Sequence, residues 1–141
     1  MLLVGNDKEI IQDLKTQLSS KFDIKDLGAT NYILGMEIKR DREKRKLWLN
    51  QRKYVETILQ RFNMQDSKPV KVHIHVGVYL SVKQCPKAQE EEEDMSCVSY
   101  VSAIGSLMYA MVCTRLDIAH AVGVLSKFMS KPRKDHWTTL K

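Results

Sequence analysis

Hydrophobic residues follow two different periods near the start of the chain. Residues 1–4 are all apolar and end at Gly5, a run typical of a strand buried on both faces. Asn6 and Glu9 are then spaced as a helix capping box. The apolar residues that follow recur on one helical face: Ile10, Ile11, Leu14, Leu18 and Phe22. The pattern predicts a buried strand followed by an amphipathic helix.

The next segment alternates between apolar and polar residues. A turn at residues 25–28 precedes a predicted strand whose apolar positions are Tyr32, Leu34, Met36 and Ile38. A second strand is predicted at residues 47–50, and the two should pair as a hairpin with its tip at residues 41–45. Six of the eight residues from 39 to 46 are Lys or Arg. This tip is either a solvated turn or a contact surface for phosphate.

A short helix with two unlike faces follows the hairpin. Its apolar face consists of Tyr54, Val55, Ile58, Leu59 and Phe62. Its opposite face carries Arg52, Lys53 and Arg61. Beyond Pro69, every second residue from 70 to 82 is apolar, which on pattern alone predicts a strand. Residues 84–96, with an acidic run at 90–94, predict an exposed linker.

The last part of the chain predicts three helices. The first has an apolar face with small residues beside it: Val101, Ile104, Leu107, Met108 and Met111, with Ala103, Ser106 and Ala110. The second ends before Pro132. Its inward face is predicted to consist of Ile118, Ala121, Val122, Leu125, Phe128 and Met129. The third is capped at Asp135. Separate strand and helix segments indicate the α+β class.

Composition narrows the choice of partners and compartment. The 141 residues are 43% hydrophobic, enough for one domain with a core, and the net charge of +6 favours polyanionic partners. Cys85, Cys97 and Cys113 are odd in number and none lies in a C-x-x-C pair, which favours reduced thiols. The opening apolar run is too short for a signal peptide or a membrane span. We therefore expect an intracellular protein, cytoplasmic or nuclear, that contacts no membrane.

A search for catalytic chemistry finds no motif. Paired carboxylates, a nucleophile with a base, and a phosphate-binding glycine loop are all missing from the sequence. We interpret His73 and His75 as an exposed pair and not as a metal site, because the sequence implies no third ligand nearby. His120 and His136 lie in helical patterns that favour structural roles. We predict neither catalytic nor metal-binding residues in this chain.

Several short motifs follow one another in a characteristic order. They are MLLVG at residues 1–5, KFDIKDLG at 21–28, YILGMEI at 32–38, LWLNQ at 47–51 and KYVETILQRFNM at 53–64. Further matches are IGSLMY at 104–109, TRLDIA at 114–119, LSKFM at 125–129 and HW at 136–137. In this order the chain resembles the copia-type reverse transcriptases, which are encoded in the Pol polyproteins of long-terminal-repeat retrotransposons.

The resemblance implies where the chemistry of the family lies. In that family Tyr-Val-Asp-Asp directly precedes the strand that Met1 opens here, and its aspartates help to hold two magnesium ions for nucleotidyl transfer. The resemblance therefore implies a fragment truncated at both ends and inactive alone, derived from an RNA-directed DNA polymerase. It also implies no cofactor in this chain, although the intact family uses magnesium.

The resemblance also implies a division of the chain. Residues 1–66 would be the end of the palm, a primer-grip-like hairpin and the start of the thumb; 67–98 a linker; and 99–141 an incomplete helical connection toward ribonuclease H. Partners would be an RNA or DNA duplex and the remainder of the Pol polyprotein. The implied nucleic-acid-binding residues are Leu34, Gly35, Met36, Glu37, Lys39, Arg40, Arg42, Lys44, Arg45, Lys46, Arg52, Lys53 and Arg61.

Departures from the family pattern leave alternatives open. His73 and His75 stand where the family usually has Pro-x-Pro, and Leu116 replaces another common proline. Lost prolines restore backbone donors, so residues 70–82 could pair as an edge strand instead of forming a loop. Two alternatives to an inert fragment are a domesticated nucleic-acid-binding module and a protein-interaction fragment that dimerises through its first strand and its small-residue helix.

Overall fold

The computed structural model describes residues 1–70, 74, 80–81, 93 and 95–141. Two compact units are present, Met1–Asn31 and Tyr32–Lys141. Helices and a three-stranded antiparallel sheet occupy separate segments of the chain, so the predicted α+β class is confirmed. The predicted division at 1–66, 67–98 and 99–141 stays a prediction, since most of its middle segment lies outside the described residues.

The first unit consists of the helix α1 (Lys8–Lys21) with irregular segments before and after it. The cap is Asp7, whose carboxylate accepts a hydrogen bond of 2.8 Å from the backbone N–H of Glu9. The predicted cap at Asn6 is therefore wrong by one residue, because both neighbours are good capping types. The apolar face is open: Ile10 and Phe22 are exposed, while Ile11 and Leu18 are half-buried.

The predicted buried strand at residues 1–4 is wrong. These residues form no strand, and the Met1 and Val4 side chains are 90% and 83% exposed. A strand needs a neighbour that accepts and donates its backbone hydrogen bonds, and no described strand pairs with this segment. The apolar run therefore lies mostly exposed at the surface of its unit, with only Leu3 half-buried.

The second unit begins with a three-stranded meander. Strands β1 (Tyr32–Ile33), β2 (Met36–Asp41) and β3 (Lys46–Asn50) pair antiparallel in the order β1-β2-β3. The hairpin of β2 and β3 is confirmed, with its tip at residues 42–45. The continuous strand predicted from Tyr32 to Ile38 is wrong, because the chain reverses at Leu34 and Gly35. Both residues have positive φ, 49° and 75°, the combination that a two-residue type I′ turn requires.

Helix α2 (Arg52–Arg61) follows the sheet after one residue. Its predicted faces are confirmed. The apolar side chains are half-buried: Tyr54, Val55, Ile58, Leu59 and Phe62. The basic side chains Arg52, Lys53 and Arg61 are exposed.

The core of the second unit lies between three later helices. Helix α3 (Tyr100–Cys113) leads through a 3₁₀ turn (Leu116–Ile118) into α4 (Ala119–Ser126), and α5 (Lys134–Leu140) is the last helix of the unit. Met95, Tyr100, Ile104 and Leu125 form the buried cluster, and the Tyr100 hydroxyl donates to the Leu125 carbonyl oxygen at 2.8 Å. Burial raises the pKa of Tyr100 to about 12.

The small residues of α3 have a partner within the chain. Ala103 and Ala110 are 2% and 3% exposed, so this predicted small-residue face is confirmed as a packing face. Val101, predicted inward, is 51% exposed and that prediction is wrong. Ala103 and Ala110 are therefore covered by other residues of the chain, while Ser106 is half-buried.

His136 joins α5 to the core. Its ring is fully buried and stacks on Phe128, with ring centroids 4.0 Å apart, and its Nδ1 accepts a hydrogen bond from the backbone N–H of Arg133 at 3.0 Å. Arg133 is thus the N-cap, and the predicted cap at Asp135 is wrong by two residues. The structural role predicted for His136 fits these contacts, whereas His120 lies exposed on α4.

Candidate nucleic-acid interface

The tip of the β2–β3 hairpin is held by its own residues. The Asp41 carboxylate accepts a hydrogen bond of 3.0 Å from the backbone N–H of Lys44, and Arg45 takes a positive φ of 52°. Asp41 pairs with Lys46 across the base of the loop. These local bonds order the loop, so that the side chains of Arg42, Lys44 and Arg45 are presented to solvent.

The cations predicted for this surface are all exposed. They are Lys39, Arg40, Arg42, Lys44, Arg45, Lys46, Arg52, Lys53 and Arg61. Lys44 lies 3.9 Å from the Asp41 carboxylate, and Arg52 forms an exposed ion pair of 2.9 Å with Glu56. Such exposed pairs are weak and exchange readily with another anion. Lys39, Arg40, Arg42, Arg45 and Lys46 form no ion pair with any described residue.

Glu37 and Lys53, both predicted to contact nucleic acid, contact each other. The Lys53 Nζ lies 3.0 Å from Glu37 Oε1, and the Asn50 amide donates to Glu37 Oε2 at 3.3 Å. The Lys53 ammonium also lies 5.7 Å from the centroid of the Tyr32 ring. The hydrogen bond to Glu37 raises the pKa of Lys53. These bonds tie the sheet to the first turn of α2.

The predicted residues Leu34, Gly35 and Met36 lie at the turn between β1 and β2. A Cβ atom on Gly35 would lie 3.2 Å from Cδ2 of Tyr54, so the helix packs directly on the turn backbone. The Tyr109 hydroxyl of α3 donates a hydrogen bond to the Leu34 carbonyl oxygen. The Tyr54 and Tyr109 rings meet edge to face at 5.0 Å. The turn is therefore held by two helices.

A second junction lies at the start of α2. Gln51 is only 3% exposed, and its Oε1 accepts a hydrogen bond of 2.6 Å from the hydroxyl of Thr114. Asn50 accepts a bond of 2.8 Å from the backbone N–H of Arg52, which starts the helix. Because Thr114 follows α3 directly, the hairpin, α2 and α3 meet at one buried side chain.

Sequence reasoning missed four residues of this surface and its support. Gln51 and Tyr109 hold the hairpin against the helices, and neither belongs to a motif that signals such a contact. Tyr32, on β1, and Trp48, on β3, are 51% and 45% exposed. The one available signal was Trp48, an aromatic residue that follows closely on a run of cations in the sequence.

The side chains that could bind a metal are scattered. Nowhere in the described ranges are three His, Cys, Asp or Glu side chains grouped as a metal site requires. His73 and His75 lie outside the described residues, as does the acidic run at 90–94 apart from Glu93. The expectation that this chain holds no cofactor stays a prediction. Within the part of the chain that the structure describes, no helix has both the length and the apolar character to cross a bilayer.

The described part of the chain thus combines a short basic β-hairpin with an amphipathic helix that packs against the sheet. Residues 1–76 match the family model described as reverse transcriptase (RNA-dependent DNA polymerase). The chain belongs to this family, and the predicted relation to retrotransposon Pol polyproteins is confirmed by the relatives that follow.

Curated relatives that match over the whole chain include three Pol polyproteins. The retrovirus-related Pol polyprotein from transposon TNT 1-94 of Nicotiana tabacum is 56% identical over 141 residues. The Pol polyproteins from transposons RE1 and RE2 of Arabidopsis thaliana are 36% and 34% identical over the same length. The chain spans 11% of the first relative and 9% of each of the others. It thus corresponds to a small part of these polyproteins. No solved structure matches the chain.

Proposed function

We propose that this chain grips the sugar-phosphate backbone of an RNA or DNA duplex through the tip of its β2–β3 hairpin and the basic face of α2. The observation that carries the proposal is the set of exposed hairpin cations that form no ion pair with any described residue: Lys39, Arg40, Arg42, Arg45 and Lys46. Phosphate contacts of Lys and Arg release counterions and supply affinity without reading sequence.

The remaining site residues have supporting roles in this proposal. Leu34, Gly35 and Met36 form or follow the turn that α2 and α3 hold, whereas Glu37 ties Lys53 to the sheet and neutralises its charge. Arg52 and Arg61 extend the basic surface along α2, where Arg52 is paired only to an exposed carboxylate. A rigid support suits a grip, since side chains held in place lose less conformational entropy on binding.

We further propose that the chain extends no primer by itself. The Tyr-Val-Asp-Asp motif that the resemblance associates with the catalytic aspartates does not occur in its sequence. In a longer polyprotein, the rest of Pol would supply magnesium-dependent polymerisation, and the setting would be cytoplasmic or nuclear. Primer extension with magnesium and all four nucleotides should give no product, and any templated incorporation would refute this part of the proposal.

Binding to a duplex should be measured by fluorescence anisotropy as a function of salt. The full chain should bind a short labelled DNA duplex and an RNA–DNA hybrid at low salt, with log K falling linearly against log salt. The triple variant Lys39→Gln, Arg40→Gln, Arg42→Gln should lower both affinity and slope, the slope by about 0.9 for each phosphate that the variant no longer neutralises.

A matched control removes the same charge elsewhere. Lys8, Lys21 and Lys25 are exposed and belong to the other compact unit, so their triple change to Gln alters net charge equally. This control should retain the wild-type slope. Equal losses in both triples would show that net charge alone drives binding, and absence of binding at low salt would overturn the proposed grip.

A further inference from the structure

Trp48 lies exposed on one face of the hairpin beside two cations. In the register of β2 and β3, Trp48 stands directly opposite Lys39, and directly paired residues project from the same face. Lys46 precedes Trp48 by two positions on the same strand and therefore shares that face, about 6.8 Å away along the strand. The face thus presents an indole ring beside two ammonium groups, and the carboxylates of Glu37 and Asp41 project from the same face on either side of Lys39.

The two tryptophans of the chain have opposite environments. Trp137 packs edge to face on the rings of Phe62 and Tyr100, at 6.2 Å and 6.5 Å. Trp48 contacts no aromatic ring among the described residues and is 45% exposed. A tryptophan is the largest apolar surface a residue can bury, so one left half in water beside cations is suited to a ligand with a flat face and negative charge.

We infer that Trp48 is a stacking site for an unpaired base of single-stranded nucleic acid, with Lys39 and Lys46 holding the adjoining phosphates. Proteins that bind single strands combine an aromatic ring for the base with cations for the backbone, and every base offers a π-face. This inference rests on the proposed function, because the same cations serve both. It adds a ligand, the unpaired base, that a grip on the backbone alone does not bind.

A duplex cannot occupy this site in the same way. Bases within a duplex are already stacked on both sides, and exposing one requires unpairing and unstacking. The inference therefore makes single strands, or the single-stranded end of a duplex, the ligands whose binding depends on Trp48. The affinity for a blunt duplex should depend on the cations and should not change when the indole is removed.

Leu47 provides a matched control for Trp48. It is the adjacent residue on the same strand, is 57% exposed, and projects from the opposite face because it pairs with Arg40. Trp48→Ala and Leu47→Ala therefore remove exposed apolar side chains from neighbouring positions of one strand. Trp48→Phe restores a flat ring and tests rescue.

The experiment measures binding of three probes to the full chain: oligothymidine, an abasic strand of equal length, and a blunt duplex. The difference in tryptophan fluorescence between wild type and Trp48→Phe reports on Trp48. Oligothymidine should quench this part of the fluorescence. Trp48→Ala should weaken oligothymidine binding by about 5- to 150-fold, the range for removal of one stacked base, and Trp48→Phe should recover most of it. Leu47→Ala should bind as wild type does.

The outcomes separate the two proposals. If the duplex binds, but oligothymidine causes no quenching and Trp48→Ala binds it normally, the stacking site is refuted and the backbone grip stands. If the abasic strand depends on Trp48 as strongly as oligothymidine does, base stacking is likewise refuted. If oligothymidine quenches Trp48 while no duplex binds at low salt, the stacking site stands and the duplex grip fails. Weakening of binding in Leu47→Ala equal to that in Trp48→Ala would point to a general change in the hairpin and overturn the inference.

Discussion

The hydroxyl of Tyr109, on helix α3, donates a hydrogen bond to the carbonyl oxygen of Leu34, at the turn between β1 and β2. These residues are 75 positions apart in the sequence. The bond joins the three-stranded sheet to the helical part of the same compact unit, and the Tyr54 ring lies against the Tyr109 ring and against Gly35, the residue after Leu34. The support of the basic hairpin therefore includes residues well outside it.

Removing the Tyr109 hydroxyl should loosen this support. Tyr109→Phe retains the ring contact with Tyr54 but leaves the Leu34 carbonyl without its donor, so we expect Tm to fall by about 3 °C. Tyr54→Phe is the comparison, since its hydroxyl lies 3.3 Å from the Ser106 carbonyl oxygen, beyond the usual range for an O–H···O hydrogen bond, and should matter less. Thermal unfolding followed by circular dichroism checks both. A larger effect for Tyr54→Phe would contradict the importance assigned to the Leu34 bond.

Gly35→Ala should destabilise the second unit by about 1–3 kcal/mol. The alanine would have to adopt a φ of 75°, and its Cβ would press on the Tyr54 ring. Urea unfolding measures the change in stability. Gly105→Ala is the control, because this exposed helical glycine has open space around its Cα and should gain up to about 1 kcal/mol. Stability unchanged by Gly35→Ala would show that the turn can relax away from α2.

Thr114→Val should destabilise the protein by about 1–3 kcal/mol, since it removes the donor to the Oε1 of buried Gln51. The double variant Gln51→Leu, Thr114→Val should recover much of that stability, because replacing both polar partners leaves no unsatisfied group. Thr57→Val, which removes an exposed hydroxyl bonded only within its own helix, should be nearly neutral. Urea unfolding of wild type, Gln51→Leu, Thr114→Val and the double variant gives the coupling energy between the two side chains. If the effects of the two single changes are strictly additive, the result argues against the bond.

The sequence predicted well those elements whose signals are local. The hairpin tip and the two faces of α2 depend on periodicity over a few residues, and both are present. The reversal at Leu34 and Gly35 escaped prediction because leucine rarely takes positive φ, and only the glycine signals a type I′ turn. The strand expected at residues 1–4 failed because an apolar run specifies burial without specifying a partner.

The support of the site could not be read from the sequence for a different reason. Gln51 looks like an ordinary polar residue until Thr114, 63 positions away, is seen beside it. The pairing of Glu37 with Lys53 likewise depends on how α2 lies against the sheet. The exposure of the hairpin cations was predictable, because charged residues at a tight turn are seldom buried.

His136 should make stability depend on pH in the weakly acidic range. Burial lowers the pKa of its imidazole below the ordinary 6.5, with the Asp135 charge opposing this and Arg133 adding to it. The unfolded chain then binds the proton more tightly, so stability is complete above about pH 6.5 and falls as pH drops toward the folded-state pKa, by at most about 1.4 kcal/mol per pH unit. His136→Gln should flatten this slope in urea unfolding, whereas His120→Gln, at an exposed position, should retain it. An unchanged slope in His136→Gln would assign the pH dependence to other groups.

Glu37→Gln should strengthen duplex binding. The change removes the carboxylate that holds the Lys53 ammonium at 3.0 Å, while an amide of the same size remains beside Asn50. Released Lys53 can then contact phosphate, so the slope of log K against log salt should steepen by about 0.9. Glu43→Gln is the matched control: it adds the same charge at the exposed hairpin tip, where Glu43 forms no ion pair with a described residue. Glu43→Gln should raise affinity through the general field alone and leave the slope unchanged. Weaker binding by Glu37→Gln would instead show that the carboxylate itself, or the orientation it gives Lys53, is needed at the interface.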